Sequence, residues 1–278
     1  MNGRSVLNNR IIRVFPRKTR ATPSDQMVYF DGPTFFAEAD EVHISVTFTY
    51  DLPKAEMLAN QWGVVAPVKI GGPATGERSG EFTPGLYLKR GYTITSRGCP
   101  NACWFCCVWR REGREIRELK IKDGWNILDD NILACSESHI KSVFEMLKRQ
   151  PRPAEFRGGL EAARLKDWHV DLLLSIRVRQ MFFAYDTPDD FEPLVSAAKK
   201  LKTAGIIRPA SHCVRCYVLI GYPKDDFEKA EKRLRDVLQL GIMPMAMLYR
   251  DESGEPSRSW KRFQREWANH FIVGSKLK

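Results

Sequence analysis

The sequence predicts an α/β protein with mostly parallel strands, and two observations lead to that prediction. First, short β-branched or apolar runs alternate with helical stretches along most of the 278 residues. Second, 43% of the residues are hydrophobic and 28% are charged, which is the balance of a globular chain able to bury a core. A chain of this length has room for one large domain or two small ones.

The first third of the chain shows the strand–helix–strand order of a small domain. Glu41–Tyr50 alternates and is rich in β-branched residues, so it is a predicted strand. Leu52–Trp62 is a predicted helix with Pro53 in its first turn and a glycine just past its end. The apolar run Val64–Ile70 supplies the next strand. The sequence therefore predicts a Rossmann-like α/β domain over residues 1–90.

Six strand candidates alternate with helices over residues 91–255. The strand candidates are Tyr92–Ser96, Asn126–Asp129, Glu155–Arg157, Gln180–Tyr185, Arg215–Gly221 and Met243–Tyr249. The helical faces between them are Ile140, Val143, Phe144 and Leu147, the stretch after the capping sequence Thr187–Asp190, and Phe227, Ala230, Leu234 and Leu238. Each strand with its helix takes about 27 residues, whereas a closed eight-stranded barrel usually needs about 250 residues in all. The segment is therefore predicted to form a partial (β/α)6 barrel of the TIM type, with an open doubly wound sheet as the alternative.

The two ends of the chain are basic, and the rest is close to neutral. Residues 1–20, a basic N-terminal arm, contain six basic residues and no acidic one, and residues 256–278 contain six basic residues and one acidic residue. The C-terminal segment is a predicted amphipathic helix whose aromatic stripe consists of Trp260, Phe263, Trp267 and Phe271. Basic ends are typical of a solvated surface, and they also suit contact with nucleic acid or another anionic partner.

Three of the seven cysteines cluster directly after the first strand of the second segment. Cys99, Cys103 and Cys106 have the spacing C-x3-C-x2-C. Clustered thiolates bind iron–sulfur clusters and zinc. Structural zinc sites use four ligands in paired arms, whereas one short loop here provides three. Three thiolates on a four-iron cluster leave one iron open for a small molecule.

The segment Ser96–Cys106, SRGCPNACWFC, resembles the cysteine loop of the radical S-adenosylmethionine (radical SAM) superfamily, with Phe105 in the aromatic position. The resemblance implies that Cys99, Cys103 and Cys106 bind a [4Fe-4S] cluster whose open iron holds S-adenosylmethionine (SAM). It also implies reductive cleavage of SAM to methionine and a 5′-deoxyadenosyl radical, which takes hydrogen from a substrate. The catalytic residues that act on the substrate are unknown.

Further segments are similar to radical SAM enzymes that carry an N-terminal Rossmann-like, cobalamin-binding-like domain. They are Arg111–Gly113, Asp129–Asn131, Gly158–Arg164, Phe183–Asp186 and Val218–Pro223. Cobalamin itself is not expected, because the sequence Asp167-x-His169 lacks the glycine of a D-x-H-x-x-G motif and lies outside the N-terminal domain.

Ligands of barrel enzymes lie at the carboxyl ends of the strands, which gives the cofactor-binding candidates. They are Phe105, Asp129, Asp130, Asn131, Arg157, Asp186 and Gly221. Side chains of Asp129–Asn131 can accept from the methionyl ammonium, and Arg157 can pair with the carboxylate. The structural alternatives are a solvated turn, an ordinary ion pair, a position just before the helix cap for Asp186 and a turn glycine at Gly221.

A second cysteine pair, Cys213-x2-Cys216, is expected to belong to the core. Cys216 opens an apolar strand, where a cysteine is usually a small core residue. An auxiliary metal site would need more ligands, and only Cys107 and Cys135 remain as spare thiols.

The sequence therefore predicts a radical SAM enzyme whose unidentified substrate is a small molecule, a nucleic acid or a peptide. The resemblance also implies an electron donor such as flavodoxin or ferredoxin. The alternative is a non-catalytic, cysteine-rich zinc or iron–sulfur module that binds nucleic acid through its basic ends. No apolar run is long enough to cross a bilayer and no signal peptide is recognised, so we expect no membrane contact and a cytoplasmic location.

Overall fold

The computed structural model describes residues 10–209, 211–250, 256–268 and 273. The chain divides into two compact units. The N-terminal unit consists of Met1–Tyr92 and Ala102–Gly113, and the C-terminal unit consists of Thr93–Asn101 and Arg114–Lys278. Cys99 thus belongs to the C-terminal unit, whereas Cys103 and Cys106 belong to the N-terminal unit.

The N-terminal unit contains a four-stranded parallel sheet with strand order β2-β1-β3-β4. Its elements are β1 (Ile11–Val14), β2 (Val28–Tyr29), β3 (Glu41–Ser45), α1 (Leu52–Trp62), β4 (Val68–Gly71) and α2 (Val108–Glu112). The predicted helix Leu52–Trp62 is confirmed at both ends. The predicted strand from Glu41 stops at Ser45, because Thr49–Asp51 form a short 3-10 turn that leads into α1.

The core of the N-terminal unit lies between its sheet and α1. Val42 and Ile44 of β3 and Leu58 and Trp62 of α1 are almost fully buried there. The indole Nε1 of Trp62 donates to the carbonyl oxygen of Asp31 at 3.0 Å, so its one polar atom is satisfied within the core.

A buried glutamate ties the segment after the cysteines to the N-terminal unit. Glu112, the last residue of α2, is fully buried. Its carboxylate accepts from the hydroxyl of Ser79 at 2.6 Å and from Nε of Arg111 at 2.9 Å. Arg111 in turn donates to the carbonyl oxygen of Pro73 at 3.1 Å. These bonds explain why Ala102–Gly113 belongs to this unit.

The C-terminal unit contains a six-stranded sheet with order β12-β11-β10-β9-β8-β5. The strands of the whole unit are β5 (Tyr92–Thr93), β6 (Ser96–Arg97), β7 (Arg117–Glu118), β8 (Asn126–Ile127), β9 (Ala154–Phe156), β10 (Val178–Ala184), β11 (Val214–Ile220) and β12 (Met243–Leu248). Neighbouring strands from β8 to β12 pair in parallel, whereas β6 and β7 form a separate antiparallel pair. Every predicted strand of this segment is found, and in the described residues the sheet is not closed into a barrel.

The helices of the C-terminal unit follow the strands as the sequence predicts. They are α3 (Glu137–Lys148), α4 (Asp167–Leu174), α5 (Phe191–Thr203), α6 (Phe227–Gln239) and α7 (Arg258–Ala268). Side chains cap α3, α6 and α7, since Ser136 accepts from the N–H of His139, Asp226 from that of Lys229 and Ser257 from that of Trp260.

The C-terminal helix packs against the sheet through its aromatic stripe. Trp267 is fully buried in the core of the C-terminal unit. The rings of Trp260 and Phe263 contact the ring of Phe227, with centroids 4.3 and 5.3 Å away. The predicted packing of the stripe is therefore confirmed for these three residues. Phe271, like Lys276 and Lys278, lies outside the described residues. No helix in the described ranges has both the length and the apolar run that a bilayer crossing requires.

Candidate functional site

A buried carboxylate fixes the segment that precedes the cysteine loop. Asp129 follows β8 and is almost fully buried. It accepts from the backbone N–H of Thr95 at 2.6 Å, from the hydroxyl of Thr95 at 2.5 Å and from the hydroxyl of Ser96 at 2.9 Å. Burial raises the pKa of Asp129, and the bonds from Thr95 and Ser96 oppose that rise. Asp129 therefore positions the chain three residues before Cys99.

The next residue holds the start of the cysteine loop. Asp130 accepts from the backbone N–H of Gly98 at 2.9 Å and from the guanidinium of Arg97 at 3.2 Å. Gly98 has a φ of +95°, in the left-handed region that favours glycine. The glycine and the carboxylate together fix the direction in which the chain enters Cys99.

Asn131 connects the cysteine loop to the end of β9. Its Nδ2 donates to Sγ of Cys99 at 3.6 Å and to a carboxylate oxygen of Glu161 at 2.6 Å. Glu161 also accepts from Nε of Arg164 at 2.6 Å. In the described part of the chain, the Oδ1 atom of Asn131 is buried without a hydrogen-bond partner. A buried acceptor left unpaired is costly, so this oxygen is available to a donor from water or from a ligand.

Gly158, just after β9, lets the backbone of two strand ends come together. A Cβ at this position would overlap the carbonyl oxygen of Asp129 and lie 3.0 Å from its N and C atoms. Only glycine fits, because the obstacle is backbone and cannot rotate away. This close approach keeps Asp129–Asn131 beside the segment that begins at Gly158.

The two later cysteines lie in a turn of the N-terminal unit. The N–H of Cys106 donates to the carbonyl oxygen of Cys103 at 3.1 Å, and the indole of Trp109 donates to the same oxygen at 2.9 Å. Sγ of Cys106 accepts from the N–H of Val108 at 3.5 Å. N–H groups directed at sulfur stabilise its thiolate form and tune a bound cluster. Phe105, the predicted aromatic position, is half-buried and meets the ring of Trp104 edge-on at 5.3 Å.

Three of the four cysteines outside the motif, Cys135, Cys213 and Cys216, lie in the core or pack against it. Burial raises the pKa of the Cys135 thiol to about 12. Burial also raises the pKa of Cys213 and, well above its usual range, that of Cys216, which is fully buried in the core. Metal ligation requires the thiolate, which burial disfavours at these three positions. Only Cys107 is exposed.

In the part of the chain that the structure describes, metal ligands are not gathered into one site. Among the described residues, no group of three or more His, Cys, Asp or Glu side chains is arranged to hold a metal ion, and no cysteine forms a disulfide. The donors nevertheless have the chemistry of an iron–sulfur site, because three thiols share one short loop and N–H groups meet the sulfurs of Cys99 and Cys106.

Arg157, the last residue of the third predicted strand, directly follows β9 in the structure. Its side chain contacts other residues of the C-terminal unit. Its Nε donates to Glu155 at 2.6 Å and to Oδ1 of Asn126 at 3.2 Å. The ion-pair alternative raised for this residue therefore describes its contacts in the structure.

Asp186 lies at the end of the fourth predicted strand and directly precedes the cap residue Thr187 of the turn that follows. It accepts from the backbone N–H of Leu219 on β11 at 2.9 Å, whereas Asp190 accepts from the N–H groups of Asp186 and Thr187. Burial, reinforced by the charge of Asp190, raises the pKa of Asp186 to about 7. Asp186 thus links β10 to β11 as a buried acid.

Gly221 forms a tight turn at the end of β11. Its φ is +71°, and its N–H donates to a carboxylate oxygen of Asp225 at 2.8 Å. A Cβ here would lie 2.8 Å from the side chain of Leu248 and 3.1 Å from that of Trp260. The turn-glycine alternative therefore accounts for this residue.

The structure brings only part of the predicted cofactor set together. Asp129, Asp130 and Asn131 meet the chain from Thr95 to Cys99, and the residues that sequence reasoning missed are Gly158 and Glu161. Both lie in the segment Gly158–Arg164, whose paired glycines and acidic residue directly after a strand were the available signal.

No model of a known protein family matches the chain, and no curated protein matches it either. Arguments about function therefore depend on the residues and geometry described above.

Proposed function

We propose that this protein is a radical SAM enzyme. In this proposal Cys99, Cys103 and Cys106 ligate a [4Fe-4S] cluster whose open iron holds SAM. The observation that carries the proposal is the connection of Cys99 to Asn131, because it joins the three-cysteine loop to a buried, unpaired amide oxygen at the carboxyl edge of the parallel sheet. Parallel α/β proteins bind their ligands at this edge.

The order of the strands supports a partial (β/α)6 barrel in the C-terminal unit. The six strands of the sheet lie side by side in chain order without a reversal, whereas a doubly wound sheet reverses its order at a switch point. The N-terminal unit has such a reversal, since β1 lies between β2 and β3. That order supports the Rossmann-like assignment of this unit.

Cluster binding requires the three thiols to converge, because they are not gathered around a metal ion in the described conformation. When bound, the cluster supplies the electron that cleaves SAM into methionine and a 5′-deoxyadenosyl radical. An electron donor of the flavodoxin or ferredoxin type belongs to this proposal, as does a cytoplasmic location.

Residues of the chain itself would bind and orient SAM. Oδ1 of Asn131 accepts a hydrogen from the methionyl ammonium, which satisfies the unpaired oxygen. Asp129 and Asp130 act indirectly, since their carboxylates hold the chain that leads into Cys99. Phe105 provides an aromatic wall beside the cysteines, and Arg157 stays a candidate partner for the carboxylate of SAM.

Asp186 and Gly221 would shape the cofactor site from two neighbouring strand ends. Their side-chain and backbone bonds to Leu219 and Asp225 fix the ends of β10 and β11. Backbone groups at these ends are then available to the adenine, as in other sites built at strand termini.

The proposal is tested by measuring SAM cleavage after anaerobic reconstitution with iron, sulfide and dithionite. We expect 5′-deoxyadenosine and methionine from the wild type and from Cys107→Ala, because Cys107 lies next to the motif but outside it. Cys103→Ala should lose both the cluster and the products. Asn131→Leu should keep its iron and require a higher SAM concentration for half-maximal cleavage.

Two results would overturn the proposal. One is a reconstituted protein that contains zinc and no iron, which would instead favour the cysteine-rich zinc module. The other is SAM cleavage that persists in Cys103→Ala at the wild-type rate, which would remove the motif from the chemistry.

A further inference from the structure

The six-stranded sheet of the C-terminal unit has one apolar face and one polar face. Its helices cover the face that carries Phe156, Met181 and Cys216. Side chains alternate along a strand, so their neighbours project from the opposite face. These neighbours are Asn126, Glu155, Arg157, Phe182, Arg215 and Tyr217, and none of them belongs to the core cluster.

Charge on a parallel sheet face is unusual. Parallel sheets are normally apolar on both faces, because helices cover each of them. Here Phe182 pairs in register with Arg215, and its ring stacks on that of Tyr217 with centroids 4.6 Å apart. Phe182 is almost fully buried, whereas Tyr217 and Arg215 are half-buried, so the phenol and the guanidinium are the accessible part of this group.

Positive charge exceeds negative charge on this face. Glu155 binds Arg157 at 2.6 Å and Arg179 at 3.2 Å, so both of its oxygens are taken. Arg215 is half-buried, and its Nε donates to the carbonyl oxygen of His212 at 3.4 Å. Within the described ranges, no carboxylate lies at ion-pair distance from Arg215. The single charge of Glu155 therefore balances at most one of the three guanidinium charges of Arg157, Arg179 and Arg215.

The electrostatics of neighbouring groups agree with this imbalance. Burial and the charges of Arg157 and Arg179 hold the pKa of Arg215 below its ordinary value. Burial raises the pKa of Tyr217, while Arg157 and Arg215 oppose that rise, so the phenol lies near both cations. Its hydroxyl donates to the carbonyl oxygen of Arg157 at 3.5 Å. An anion placed here would gain bonds to a guanidinium and relieve the repulsion between the cations.

The strand register places Arg215 level with the carboxyl end of β9. Met181 pairs with Phe156 and Phe182 pairs with Arg215, so Arg157 and Arg215 flank Phe182 across the sheet. Neighbouring strands lie about 4.8 Å apart, so the backbones of these two arginines are roughly 10 Å from each other. An anion at Arg215 is therefore within reach of a ligand bound at the end of β9.

We propose that the substrate of this enzyme is a small molecule with an oxyanion group, a carboxylate or a phosphate, that is bound by Arg215 beside the stacked rings of Phe182 and Tyr217. This inference rests on the proposed function only in calling the bound molecule a substrate. Anion binding at Arg215 stands on the sheet face itself.

The test compares anion binding by two arginine variants that lose the same charge. Inorganic phosphate and acetate are titrated separately into the full-length protein at constant ionic strength, and binding is followed by calorimetry. We expect saturable binding of one of these anions by the wild type and by Arg262→Gln, whose side chain is 82% exposed on α7. Arg215→Gln should bind it at least about tenfold more weakly, because one charge-assisted bond is lost. Whichever anion saturates identifies the oxyanion.

Weaker anion binding by Arg215→Gln would not result from a loss of folding. Arg215→Gln removes a cation whose charged neighbours are mostly cations, so its melting temperature without anion should equal or exceed that of the wild type. Arg215→Lys, which keeps the charge, should recover part of the affinity.

Three results would overturn the inference. They are equal affinity in Arg215→Gln and Arg262→Gln, no saturation by either anion, and a single-stranded oligonucleotide that binds through Arg215 far more tightly than phosphate, which would indicate a macromolecular ligand. Repeating the titration with cluster-free Cys103→Ala separates the two proposals. Anion binding there without SAM cleavage in the wild type would contradict only the proposed function, whereas SAM cleavage without anion binding would contradict only this inference.

Discussion

Replacing Gly158 with alanine tests whether the two strand ends must touch for the site to form. The added Cβ would overlap the carbonyl oxygen of Asp129 and lie 3.0 Å from two more of its backbone atoms, where ordinary contacts are 3.4 Å or longer. The chain must then separate by on the order of 1 Å, which strains the bond from the N–H of Gly158 to the carbonyl oxygen of Ile127. Overpacking against backbone costs about 3 kcal/mol.

Thermal unfolding followed by circular dichroism measures this cost. For a chain of this size, about 3 kcal/mol lowers the melting temperature by roughly 6–12 °C. Gly80→Ala is the matched control, because a Cβ at Gly80 meets nothing within 4 Å, and its effect should stay within about 0.5 kcal/mol. Gly158→Ala should also bind less iron on reconstitution, since Asp130 and Asn131 would move away from Gly98 and Cys99. If Gly158→Ala and Gly80→Ala have the same melting temperature, the close approach of the two strand ends does not constrain the fold.

Three further expectations concern buried acids and thiols. Because the folded pKa of Asp186 is about 7 and its ordinary value is 3.8, the unfolded chain releases this proton first as the pH rises, and stability falls between about pH 4 and pH 7. Asp186→Asn should lack that decline. Denaturant titrations at pH 8 should show it to be more stable than the wild type by up to about 4 kcal/mol. Stability profiles of the two proteins that run parallel with pH would contradict the raised pKa of Asp186. Iodoacetamide at pH 8 should label exposed Cys107 in the native protein well before buried Cys216, and mass spectrometry of digests would show the opposite order if the core packing is wrong. Cys216→Ala should lower stability by about 1 kcal/mol and keep the full iron content, and a loss of about half the iron would reveal a second cluster.

Patterns that repeat locally predicted most of the fold. The helix α1 is found at its predicted limits because Pro53 and Gly63 mark its ends in the sequence. The strands β8 to β12 were found because apolar runs separate amphipathic helices of ordinary length. The strands β1 and β2 were missed, since four-residue and two-residue strands carry too little periodicity to be recognised.

Contacts between distant segments account for what the sequence did not predict at the site. The sequence shows only a polar turn at Asp129, Asp130 and Asn131. In the structure each of these residues binds a different part of the chain from Thr95 to Glu161. Gly158 is needed because of the carbonyl oxygen of Asp129, 29 residues earlier. Such partners are set by the pairing of strands β8 and β9, which no local pattern reports.

The excess of positive charge on the sheet face of the C-terminal unit could not be predicted from the sequence either. Composition places the basic residues of this chain at its ends, and the middle is close to neutral. Strand register nevertheless brings Arg157 and Arg179 to the carboxylate of Glu155 and places Arg215 near Arg157. Net charge along the sequence is therefore a poor guide to where an anion binds in the folded protein.

Electron paramagnetic resonance of the reconstituted, dithionite-reduced protein, with and without SAM, tests the central claim most directly. If Cys99, Cys103 and Cys106 hold a cluster with one open iron, chemical analysis should find about four irons per chain, and the signal of the reduced cluster should change shape when SAM binds. A protein that takes up less than one iron per chain, or a cluster signal that SAM leaves unchanged, would contradict the account.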